Sequence, residues 1–138
     1  MIFGRVKVKP GRAARFEELM AEMIRETAHE LACTRYEYWR MSEPDTYFLM
    51  ECFVDVNGFF THAAAPFHER ISLAAKEECI ESLYWEWVDF MGAAHTRFST
   101  TSDLPLPPDT PADVKKQKEL APVQEASWWV ELRRRYRA

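Results

Sequence analysis

The chain has 138 residues, 47% of them hydrophobic, which fits one compact domain with a real core and excludes two full ones. Its formal net charge of −4 excludes the global basic field that captures nucleic acid, and no apolar run approaches the roughly 18 residues of a membrane span. Cys33, Cys52 and Cys79 have no CxxC spacing, so neither a disulfide framework nor a zinc knuckle is expected, and with no signal-peptide h-region in MIFGRVKVKPGR the expected location is cytoplasmic.

IFGRVKVK alternates apolar and basic residues, which predicts a strand with Ile2, Gly4, Val6 and Val8 on one face, and Pro10-Gly11 breaks it. Phe16, Leu19, Met20, Met23, Ile24, Thr27 and Leu31 then follow helical spacing opposite a glutamate-rich side. TRYEYWRM and TYFLMECFV are rich in β-branched and aromatic residues, and the SEPD between them is a turn signal, so they read as a hairpin. A four-residue loop pairs Arg40 with Tyr47, Tyr38 with Leu49 and Tyr36 with Glu51. One face then gathers Tyr36, Tyr38, Arg40, Tyr47 and Glu51; Trp39, Phe48, Met50 and Cys52 take the other. One residue more or less in the loop would flip one strand.

DVNGFFTHAAAPFHERISLAAKEE predicts a short helix, a break at Pro66 and a second helix. CIESLYWEWVDFM reads as a fourth strand, with Ile80, Tyr84, Val88 and Phe90 on one face and Leu83, Trp85, Trp87 and Met91 on the other. Both faces are apolar, which predicts that the far side of the sheet is buried by a second copy. The domain is expected over residues 1–95. Residues 96–138 read as a Pro-rich linker and a Trp/Arg-rich arm, whose Trp128, Leu132 and Tyr136 recur at helical spacing, and Arg133 to Arg135 read as a solvated face.

The order strand, helix, hairpin, broken helix, strand is a ferredoxin-like α+β layout with a four-stranded antiparallel sheet and helices on one face. On the wording VKPGRAARFEELM, TRYEYWRMSEPDTYFLMECFVD and THAAAPFHER, roughly residues 2 to 90 resemble the antibiotic biosynthesis monooxygenase family of dimeric α+β barrels. The resemblance implies a homodimer closed sheet to sheet, a small-molecule pocket between sheet and helices, and, in some members, oxidation of phenolic compounds by O2 without metal or flavin. Glu51 and His62 stand at positions common in the wider family. Phe53 replaces the usual third-strand tryptophan, and Leu49 and Phe59 stand where quinone-forming members carry asparagine and tyrosine.

His62 and His68, six residues apart, would lie about 120° apart around one ideal helix, with no third ligand at a metal-binding spacing. No metal or cofactor is therefore expected. His62 is the candidate general base, since imidazole titrates near neutrality, and its bland alternative is a packed histidine. His68, beside Glu69 and Arg70, reads as exposed or capping. Glu51, in an apolar strand, needs either a structural Tyr or Arg partner or a role beside a catalytic group. Together with Tyr36 these form the expected catalytic set; Tyr38, Arg40, Tyr47, Phe53, Phe59, His68 and Trp85 are the expected substrate contacts for a flat aromatic molecule, with O2 as co-substrate if the chemistry is oxygenation. A non-oxidative isomerase, lyase or cyclase, or a binding protein without catalysis, would use the same pocket.

Overall fold

The computed structural model describes residues 1–88 and 105–120. Strands β1 (Ile2–Val8), β2 (Cys33–Arg40), β3 (Thr46–Phe53) and β4 (Ile80–Trp87) form one antiparallel sheet in the order β2-β3-β1-β4. Helices α1 (Ala13–Thr27), α2 (Val56–Ala63) and α3 (Pro66–Glu78) follow β1 and β3, which is the ferredoxin-like α+β arrangement. A further helix, α4 (Ala112–Leu120), packs on α2. No described helix is long and apolar enough to cross a membrane.

Ile2, Gly4, Val6 and Val8 are all buried, as the alternation of β1 requires. Gly11 turns the chain with φ of 76°, a conformation that an L side chain resists, and α1 begins two residues later. Phe16, Leu19, Met20, Met23 and Thr27 bury the inner face of α1 against the sheet, with Ile71, Ala75 and Cys79 closing the core from the α3 side. Leu31 departs from the helical reading: α1 stops at Thr27, so Leu31 falls in the following turn and is 99% exposed.

The hairpin has the four-residue loop, with Asp45 in the left-handed region at its end, and pairs Arg40 with Tyr47, Tyr38 with Leu49 and Tyr36 with Glu51. In β4 the register shifts between Lys7 and Val8 of β1. That irregularity turns Ile80 toward the helices, against the core, with Leu83, Trp85 and Trp87 inward of it along the strand. The expected grouping of Ile80 with Tyr84 fails for this reason, and Phe90 and Met91 lie outside the described residues.

α2 is capped by Asp55, whose side chain accepts from the Gly58 N–H at 2.9 Å. Gly58 itself is required by close approach, because a Cβ there would meet the Ala32 Cβ at 3.0 Å. Ala64 and Ala65 break the helical path, and Pro66 opens α3 at its first position. The region read as linker is only partly extended: after Pro105 to Pro111 the chain forms α4, and Leu106 and Val114 pack with Val56, Phe60 and Trp87. The Trp128 to Tyr136 arm lies outside the described residues.

Candidate active site

Between the inner face of the sheet and α1 and α3 lies a cavity of about 510 Å3, within the range of small-molecule sites. Its sheet wall carries Tyr36, Tyr38, Glu51, Leu83 and Trp85; its helical walls include Met20 of α1, Phe59 of α2 and His68 and Ser72 of α3. Alternation along the hairpin explains why Tyr36, Tyr38 and Glu51 share this wall.

Glu51 is the chemically unusual group. It is buried, and among the described residues its carboxyl has no hydrogen-bond partner. Burial pushes it up to about 7, with the nearby His62 pulling partly in the other direction. A cavity carboxyl that is half-ionised at neutral pH can both accept and return a proton. Tyr36 and Tyr38 are also held well above the ordinary phenol range by burial, so both remain neutral O–H groups.

His62 lies behind the cavity wall, at 1% exposure. Its Nδ1 sits 2.6 Å from a Glu30 carboxylate oxygen, while its Nε2 is buried without a hydrogen-bond partner among the described residues. Tyr36, Phe53, Phe67 and His68 surround its ring. Glu30 belongs to the turn after α1, so the sequence separation of 32 residues gave no local sign of this pair.

The His68 side chain hydrogen-bonds the Ala63 backbone at the end of α2. The break at Ala64 and Ala65 folds α3 back, so the angular separation expected on one continuous helix does not apply, and the two imidazoles stack edge to face with centroids 4.5 Å apart. His68 thereby lines the cavity, and burial, reinforced by His62, pushes it down to about 4, which leaves it neutral. No group of three or more His, Cys, Asp or Glu side chains among the described residues is arranged to hold a metal ion.

Arg40 and Tyr47 share the sheet face with Glu51 but lie at its other end, outside the cavity lining. Arg40 forms two hydrogen bonds of 2.8 and 2.7 Å with Glu17 of α1, and the Tyr47 hydroxyl donates to the same carboxylate at 2.6 Å. Phe53 packs against Phe59 and His62 rather than on the cavity surface. Of the ten residues singled out from the sequence, the cavity gathers Tyr36, Tyr38, Glu51, Phe59, His68 and Trp85. Glu30 and Gln117 carry no signal in the sequence that points to the site, whereas Ser72 stands at a four-residue spacing from His68.

Several crystal structures share this fold. A protein from Shewanella oneidensis is 27% identical with a TM-score of 0.58, the match covering 62% of this chain and 84% of that one. A candidate antibiotic biosynthesis monooxygenase from Caulobacter crescentus is 20% identical with a TM-score of 0.61, covering 64% and 86%. Another from Deinococcus radiodurans is 22% identical with a TM-score of 0.56, covering 67% and 100%. No curated protein matches the sequence significantly. The family model for antibiotic biosynthesis monooxygenase matches residues 1–72, more than half the chain, and on that match, with the fold it predicts, the protein belongs to the antibiotic biosynthesis monooxygenase family.

Proposed function

We propose that the protein is a cofactor-independent monooxygenase that oxidises a flat phenolic metabolite with O2, and that Glu51 takes the phenolic proton. The observation that carries this reading is a buried carboxyl, pushed up to about 7 and without a hydrogen bond among the described residues, in a cavity walled by Tyr36, Tyr38 and Trp85. Proton removal in a water-poor site raises the electron density of the ring, which can then pass an electron to O2. Recombination gives a hydroperoxide; loss of water leaves a quinone. The balance is one phenol and one O2 to one quinone and one water, with one oxygen atom in the new carbonyl and the other in the water. No metal or flavin is needed for it.

His62 acts as a positioning residue behind the wall. Glu30 fixes Nδ1 as the protonated nitrogen, and the imidazole packs Tyr36 and His68 in place. The outer sheet face supports a homodimer: Trp39 and Tyr84 are 56% and 62% exposed there, beside the Phe3 and Phe48 pair.

Oxygen consumption with a panel of naphthols and hydroquinones tests the reaction. Stoichiometric O2 uptake with quinone formation is expected, abolished by Glu51→Gln. Full product formation under anaerobic conditions would overturn it in favour of an isomerase or lyase acting through an enolate.

A further inference from the structure

α4 lies beyond residues 1–72, which the family model matches, and it reaches the cavity nonetheless. Its sequence, ADVKKQKEL, is nine residues long and polar on nearly every side, so alone in water it would not hold a helix. Docking supplies the stability. Val114 is buried against the α2 cluster of Val56 and Phe60, Leu106 joins it, and the Asn57 side-chain amide donates to the Pro105 carbonyl at 3.3 Å. The prolines at 105, 107, 108 and 111 lower the chain entropy lost on docking.

This docking has one direct effect on the site. Gln117 stands one turn after Val114, on the same side of α4, and lines the cavity. Among the described residues its amide has no hydrogen-bond partner, although it offers two donors and an acceptor. The α3 residues that line the cavity add Ser72 and Lys76 as donors and Glu69 as an acceptor. Glu69 and Lys76 oppose each other in charge, so this wall selects for hydrogen-bonding groups rather than for net charge.

We propose that Gln117 is a specificity-determining residue, delivered by the docked α4, whose amide binds a neutral polar substituent such as a carboxamide or ketone on the aromatic ligand. The proposal rests on the reading of the cavity as an aromatic-ligand site and adds what the ligand must carry. A phenol with a hydrogen-bonding group at its far end is held with the ring along Tyr36, Tyr38 and Trp85.

The test is anaerobic calorimetry with two probes, 2-naphthol and 6-hydroxy-2-naphthamide, on the full chain. One added hydrogen bond corresponds to a preference for the amide of up to about tenfold. Gln117→Ala should cut that preference to within about twofold; Val114→Asp, which undocks α4, should erase it as well. A preference that persists in both variants, or equal affinities in the unaltered protein, overturns the role of Gln117 while leaving the aromatic site standing. Binding of neither probe at millimolar concentration overturns both readings, independently of any oxygen-uptake result.

Discussion

Two carboxylates meet the same face of the β2–β3 hairpin, and they behave in opposite ways. At one end Glu17, reaching over from α1, takes hydrogen bonds first from Arg40 and then from Tyr47, and these hold it below the ordinary carboxylate range. At the other end Glu51 has no such partner, and burial raises it to about 7. Both ends were drawn into one aromatic-and-charge cluster by the sequence alternation. What separates them is a neighbour on a different element: α1 brings Glu17 to Arg40 and Tyr47 and brings the apolar Phe16, Met20 and Met23 toward the cavity. A carboxylate whose bonds are filled holds structure together; one buried without a hydrogen bond from the described residues is available to a ligand.

The comparison breaks most severely at Glu51. Glu51→Gln keeps the shape and removes the titrating proton, and kcat for oxygen uptake should fall by about 100-fold or more with ligand affinity retained. His62→Ala leaves Glu30 without its partner and opens a void beneath Tyr36, and urea unfolding should show a loss of about 3 kcal/mol. The cost should be smaller with His62→Gln, which restores a donor for Glu30.

The two ends also differ in the sign of their pH dependence. Glu51 has a folded-state pKa raised above its unfolded value of 4.5, so the folded protein binds the extra proton. Its stabilising contribution is complete below pH 4.5 and is lost as pH rises through about 7, on the order of 3 kcal/mol in all. Glu17, depressed, contributes stability that is present above its unfolded pKa and lost on acidification. Unfolding measured from pH 5 to 8 should therefore show a downward slope that Glu51→Gln removes and Tyr47→Phe leaves in place. The smallest effect is expected at the filled end itself: Arg40→Met, on a largely exposed pair, should leave both the urea midpoint and oxygen uptake nearly unchanged.

Much of this was legible in the sequence. The hairpin register followed from SEPD and a period of two, and it carried Tyr36, Tyr38 and Glu51 onto one wall because adjacent pairs in a ladder cannot rearrange independently. The misreadings all involve contacts between distant segments or a local irregularity. The separation of His62 from His68 rests on continuous-helix geometry that a two-residue break abolishes. Ile80 changed face through a register shift that no composition signals. The pairing of Glu30 with His62 and the arrival of Gln117 depend on α1 and α4 meeting α2, and neither leaves a periodic trace. The Pro-rich stretch reads as an extended linker, whereas 105–111 contains a turn closed by the Thr110 N–H on the Pro107 carbonyl, and the short polar helix after it is held by docking.

The most direct test of the account is the titration of the Glu51 carboxyl itself, followed by carbon NMR of selectively labelled glutamate and assigned by the signal lost in Glu51→Gln. A midpoint near 7 is the predicted result. A midpoint below about 5, in the ordinary range of a solvated carboxylate, would contradict it and leave Glu51 too weak a base for the proposed proton transfer.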